Sequence, residues 1–434
     1  MRFNRSVVLG RGCVCVALSA PLLFAAFEAG PAVGQELEPG QTVRDRPRPN
    51  YDPRGLRAGS FLIFPSLTLR QAYDSNVFAT PEDEEGDFIT SISPEIAAES
   101  QWSNHALNFR AGGEQGVYAE NSDENYLDWN IGVDGRLDVT RDTNIFAGAS
   151  WNNEHEQRGS PDDVNGEEPA EFDVANLTLG GEHRFNRLSL RLTNTYDRFD
   201  YDDVAAGDGG QIDNDDRDRD VYQSTLRAAY EIQPGFAAFV EGSYNIRDYD
   251  EDQTDSPDAP DAVNRDSDGW GVSVGSAFDL TGITFGEASI GYRQQTFDDP
   301  QLDDVSGISA NASLTSNVTQ LTSITLNLQS SVDETTVGQD NEAASGSFSR
   351  GINLRVDHEL LRNLLLNAEV GFVNRDYEGV DRMDNTIQAG LGADYLMNRY
   401  LNFGLGYDFE TRDSDAAAAE YDRHVVFLSG TLQF

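Results

Sequence analysis

"YLDWNIGVDGRLDVT", residues 126–140, alternates without a break. Leu127, Trp129, Ile131, Val133, Leu137 and Val139 share one parity, while Asp128, Asn130, Asp134, Arg136 and Asp138 share the other. A period of two places successive side chains on opposite faces of a strand, so this segment has one greasy face and one charged face. The same pattern runs through "LNFGLGYDFE" from Leu401 and "RLSLRLTNTYDRF" from Arg187, and it ends the chain as "VVFLSGTLQF", Val425 to Phe434. Roughly eighteen such segments of about 13–16 residues can be marked between Phe61 and Phe434, well beyond the usual strand of about 5–6 residues. Fourteen residues at ~3.3 Å, tilted by ~45°, reach about 33 Å, enough to cross a bilayer.

The connections alternate as well. "SN" (Ser103, Asn104), "RD" (Arg141, Asp142), "PG" (Pro234, Gly235), "TG" (Thr281, Gly282), "RN" (Arg362, Asn363) and "NR" (Asn398, Arg399) are tight turns. Between them lie long acidic stretches starting at Ser160, Asp202, Glu251 and Thr411. Short turns at one end and long loops at the other predict an all-β, antiparallel, up-and-down transmembrane β-barrel of about 18 strands, with 16 as the other count. An even count puts both chain ends on the short-turn side, which in a bacterial outer membrane is the periplasm.

The first residues have a different character. Arg2, Arg5 and Arg11 precede an apolar run from Val14 to Phe27, and "AVG" at 32–34 offers small residues for cleavage. Residues 1–34 therefore read as a secretory signal peptide. Both cysteines, Cys13 and Cys15, fall inside it, so disulfides are not expected in the exported chain. Removing those residues takes away three arginines and one glutamate, moving the formal charge from −44 to about −46. All basic residues are arginine. A charge this negative argues against nucleic acid as a partner. Arg46, Pro47, Arg48, Pro49 and Pro53 cannot continue a helix or a central strand, so residues 35–60 read as a periplasmic lead, extended or entering the lumen. The barrel is expected over 61–434. Pro65 lacks a ladder donor and is expected at a bulge or at a weakly paired place near the barrel seam.

On this parity the inward face carries Arg70, Arg110, Arg136, Arg191, Arg227 and Arg355, with Glu95, Glu114, Asp134, Glu182, Glu231 and Glu241. Arginine facing lipid at the midplane would cost about 2–4 kcal/mol, so these side chains are expected to line a lumen, either open to water or partly closed by pairing across strands. An aromatic–Arg–acid stretch recurs at Tyr196, Tyr244 and Tyr292, about one hairpin apart, and again at Val373. It reads as an aromatic girdle topped by acids.

Dedicated chemistry is sparse. His105, His155, His183, His358 and His424 accompany no nucleophile motif, so neither catalytic residues nor a cofactor is expected. Asp213 to Asp220 alternates carboxylates as calcium loops do, but it lacks the glycine and closing glutamate of an EF-hand, and no dedicated metal site is expected. In the last strand Leu428, Gly430, Leu432 and Phe434 form the alternating, aromatic-ended signal expected to be read by the barrel-assembly machinery. Lipid and lipopolysaccharide are the other expected partners, the acidic loops offering loose divalent bridging.

Residues 46–80, "RPRPNYDPRGLRAGSFLIFPSLTLRQAYDSNVFAT", resemble the opening of the putative beta-barrel porin family, type two. The matching residues are Tyr51, Asp52, Pro53, Gly55, Arg57, Gly59, Ser60 and Phe61, then Pro65, then Tyr73, Asp74, Asn76 and Phe78. The resemblance implies an outer-membrane barrel associated with exopolysaccharide loci, and hence a conduit for polysaccharide; it offers no catalytic residues. The expected function is a porin-like channel for passive passage of hydrophilic solutes, with polysaccharide export as its extension. The alternative is a non-transporting structural or binding barrel acting through its acidic extracellular loops.

Overall fold

The computed structural model describes residues 41–207, 209–250, 263–280, 282–335, 338–339 and 342–434. Residues 1–34, expected to be a signal peptide, with both cysteines and most of the acidic stretch from Glu251, lie outside them. The first six long strands are β1 Phe61–Asp74, β2 Asp87–Ser100, β3 Ala106–Tyr118, β4 Tyr126–Asp138, β5 Thr143–His155 and β6 Glu171–Phe185. Next come β7 Leu188–Tyr201, β8 Arg219–Gln233, β9 Phe236–Tyr249, β10 Ser267–Leu280, β11 Thr284–Phe297 and β12 Val305–Thr319. The set ends with β13 Thr322–Asp333, β14 Gly346–Leu361, β15 Leu364–Glu378, β16 Met383–Leu396, β17 Leu401–Ser414 and β18 Tyr421–Gln433.

Each strand pairs antiparallel with the next, and β1 pairs with β18 from Ser66↔Gln433 to Asp74↔Val425. That last ladder closes the sheet, so among the described residues no long strand is left with an open edge. Pro65 lies one residue beyond the closing ladder: its register with Ile96 on β2 is regular, and its carbonyl accepts the Phe434 N–H at 3.2 Å. The missing proline donor therefore falls at the seam, without a bulge. A three-residue strand, Leu56–Ala58, folds back on Phe61–Ile63, within the lead that the sequence reads as extended or entering the lumen.

The strands β6–β7, β8–β9 and β14–β15 are joined by two residues each. Turns 101–105, 139–142 and 397–400 are longer than the sequence suggested. Strand β17 also runs through Ser414, past the Thr411 at which a loop was expected. The reason is local: Thr386↔Arg412 and Asp384↔Ser414 keep the ladder going, and Ser414 Oγ donates to Asp384 Oδ1 at 2.6 Å. An acidic stretch stays in a strand when its neighbour can answer its polar groups.

Packing is inverted relative to a water-soluble sandwich. Leu127, Trp129 and Ile131 on β4, Leu405 on β17 and Leu428 on β18 stand on the outer face, Ile131 55% and Leu428 57% exposed. A continuous apolar exterior of this kind marks a surface made for something other than water. The buried apolar cluster is small, Val263, Phe297, Leu302, Val305 and Phe348, and sits at the long-loop end.

Phe434 adds little to the wall beyond its one bond to Pro65 and a ring contact with Tyr400 at 5.8 Å. Deleting it should therefore lower the amount of barrel assembled in cells while leaving the conductance of refolded protein unchanged. Equal losses in heat-modifiable gel shift and bilayer conductance would show that it is part of the wall instead.

Candidate functional site: the lumen and its inward loops

The register fixes which side chains face inward, because those of one parity meet the segments packed inside the barrel. Arg110 and Asp134 approach to 3.9 Å across β3 and β4, and Asn108 Nδ2 also donates to Asp134 at 2.8 Å. Arg136 pairs with Asp138 on its own strand at 2.9 Å. Arg227 reaches Glu241 at 3.8 Å and Glu287 at 2.7 Å, with its guanidinium 3.6 Å from the centre of the Phe239 ring. Arg355 pairs with Asp357 at 2.8 Å and Glu369 at 3.0 Å. Arg191 lies opposite Glu182 and over Phe146, and Arg70 lies over Phe427 at 4.1 Å. Glu114 accepts from Ser93 Oγ and the Tyr126 hydroxyl, both at 2.7 Å. Glu95 and Glu231 share the inward parity on β2 and β8. The wall is thus a set of arginines held by carboxylates or laid on rings, not a run of free cations.

The sequence did not point to the segments that cross this lumen. The connection 156–170, between β5 and β6, is built around two buried guanidiniums. Arg158 donates to both Glu124 oxygens at 2.9 and 2.7 Å and to the Gly166 carbonyl at 2.9 Å. Arg217 donates to both Glu156 oxygens at 2.9 Å and lies 4.0 Å from the centre of the Tyr201 ring. So folded, the connection reaches the far side: Thr335 donates to Asp162 Oδ1, and Arg412 on β17 donates to the Gly159 carbonyl. Gly159 has φ +79°, and a Cβ there would come within 2.7 Å of Ala79 and 3.2 Å of the Tyr421 ring. Only glycine permits that approach.

From the opposite wall, Glu334 follows β13 and points between β8 and β9. It pairs with Arg219, with Arg247 at 2.8 Å, and accepts from the Tyr249 hydroxyl at 2.7 Å. Burial alone would push its carboxyl up, but the two guanidiniums and the hydroxyl outweigh it and hold the group below the ordinary carboxylate range. The recurring Tyr–Arg–acid stretches hence have two roles. Tyr196, Tyr244 and Tyr292 stand on the outer face near the long-loop rim, with Tyr196 against Tyr222 at 5.0 Å and Tyr292 against Trp270 at 5.8 Å. Arg247 and Arg375 turn inward to Glu334 and Asp333.

The histidines hold structural contacts. His105 Nδ1 accepts from the Asp138 N–H; His183, His358 and His424 bond Thr143, Thr322 and Tyr407. His155 bonds Asp128 at 2.8 Å and stacks on Tyr126 at 3.9 Å, a histidine–carboxylate pair whose other face is taken by an aromatic ring. Asp203, Asp213 and Asp215 bring carboxylate oxygens within 4.8 Å of one another at the exposed long-loop rim. Gln211 Nε2 and the Asn214 N–H already donate to Asp203.

A family model described as Putative beta-barrel porin 2 matches residues 48–434. The chain belongs to that family. None of the curated proteins compared matches the sequence of this porin-like barrel. Among solved structures it is similar to OpdO of Pseudomonas aeruginosa, at 15% identity and a TM-score of 0.44, over 86% of this chain and 97% of that one. OccK2 (OpdF) of the same organism gives 10% identity and a TM-score of 0.46, over 86% and 98%. A point mutant of its ferric enterobactin receptor PfeA gives 9% and 0.44, over 86% and 80%. At such identities and TM-scores these likenesses carry nothing further about this barrel porin.

Two changes probe the inward loops. Glu124→Gln takes the bidentate carboxylate from buried Arg158 and leaves it Asp163 at 3.4 Å, so the cost falls below the ~3–5 kcal/mol of fully orphaning a buried charge. Protease cutting within 156–170 is expected to appear in that variant and to be absent from the parent. For Glu334, a carboxyl held low in the folded state stabilises the connection above its ordinary pKa and loses that contribution as pH falls through the folded value. A thiol placed by Thr335→Cys should therefore label faster on acidification, and in Glu334→Gln it should label fast already at neutral pH.

Proposed function

We propose that this barrel sits in the bacterial outer membrane and passes small hydrophilic solutes passively. The observation that carries the reading is the closed ladder of eighteen long strands with large apolar side chains outside and paired charges inside. In this reading lipid and lipopolysaccharide cover the outer face, the short turns face the periplasm, and the assembly machinery reads the last strand. Barrels of this size leave an aqueous channel. The connection 156–170 and Glu334 narrow that channel from the long-loop end, which favours small solutes. Export of polysaccharide, implied by the family resemblance, would require the crossing segments to leave the lumen.

The charge of the chain, −44 overall, concentrates cations at the loops and the mouth. Purified, heat-modifiable protein in planar bilayers is expected to give discrete channels whose reversal potential in a KCl gradient favours potassium over chloride. Absence of channels from correctly folded protein would leave a structural barrel acting through its loops. Anion preference would show that the wall arginines, not the acids, set the field.

A further inference from the structure

Residues 41–58 carry five arginines and two aspartates in a chain that is otherwise strongly acidic. This basic arm is packed against the inner wall at the short-turn end. Val43 is fully buried, its N–H donates to Ser323 Oγ at 2.6 Å, and Asn317 Nδ2 donates to the Gln41 carbonyl at 3.0 Å. Arg44 pairs with Asp394 and lies 3.6 Å from Asp357. Arg48, 3% exposed, donates to Glu359 Oε2 and to the Val43 carbonyl at 2.8 Å. Its second terminal nitrogen, Nη1, donates to the carbonyls of Arg44 and Arg46 at 3.0 and 3.1 Å. One guanidinium thus folds the arm into a turn and pins that turn to the wall. Arg362 and Gln433 add bonds to the carbonyls of Pro47 and Tyr51.

The attachment is largely polar: three wall carboxylates and a few amide and hydroxyl bonds, with Val43 and Pro53 as the buried apolar residues of the arm. The wall is also prepared for the arm to leave, since Asp357 keeps Arg355 at 2.8 Å and Glu359 keeps Arg362 at 3.5 Å. Removing the arm exposes Asp357 and Glu359 without orphaning them, leaving Asp394 as the one carboxylate that gives up its guanidinium, which lowers the penalty that normally locks a buried ion pair in place. We propose, building on the channel reading above, that residues 41–53 are an autoinhibitory arm docked on Asp357, Glu359 and Asp394. Its release widens the periplasmic mouth.

The test uses the full exported chain, in which introduced cysteines are the only ones. A Val43→Cys/Ser323→Cys pair is expected to conduct less when oxidised than when reduced. Arg44→Gln with Arg48→Gln, and separately Glu359→Gln, should raise conductance above the parent. A second readout does not need conduction: a maleimide added from the periplasmic side should label Ser323→Cys several-fold faster once Arg44 and Arg48 are replaced. Equal conductance of oxidised and reduced forms, or equal labelling with and without the arm's arginines, would overturn the proposal. Faster labelling with no channels in any form would remove the channel reading while keeping the releasable arm.

Discussion

Everything in this molecule follows from closing one hydrogen-bond ladder, between Ser66–Asp74 and Val425–Gln433. An open edge would leave a row of backbone donors and acceptors without partners, which an apolar surrounding cannot supply. Closure makes the sheet a wall with two faces, and the two-residue period then assigns every side chain to one of them. Arg227 and Leu226 are neighbours in sequence, yet one lies beside Glu287 inside and the other is 54% exposed outside.

An interior built by parity collects charge, and that charge organises what enters. Three wall arginines, Arg110, Arg227 and Arg355, are occupied by Asp134, Glu241, Glu287 and Glu369, so they act as crosslinks between strands. The entering segments reuse the same chemistry with the partners exchanged. At the long-loop end a carboxylate, Glu334, projects between wall arginines; at the short-turn end arginines, Arg44 and Arg48, project onto wall carboxylates. Ion pairs thereby hold the entering segments at both ends of the barrel, beside the small apolar cluster at the long-loop end.

Much of this was legible beforehand, and some was not. The alternation of Leu127 through Val139 located β4 because a strand's period is a local steric property. The inward parity of Arg70, Arg110 and Glu182 needed nothing beyond it. By contrast, Arg158 meets Glu124 and Arg217 meets Glu156 across separate connections, and no spacing in the sequence marks those partners. The Tyr196, Tyr244 and Tyr292 stretches were readable as an outer ring, but not the inward turn of Arg247 toward Glu334.

The sequence by itself determined the closed antiparallel barrel, its strand order and the two faces of its wall, since alternation and turn length act within a few residues. Only the tertiary structure decided what occupies the lumen. Docking of residues 41–53, of 156–170 and of Glu334 depends on where distant strands fall around the ring, and closure alone sets those positions. The same closure brings the Phe434 N–H to the Pro65 carbonyl at the seam.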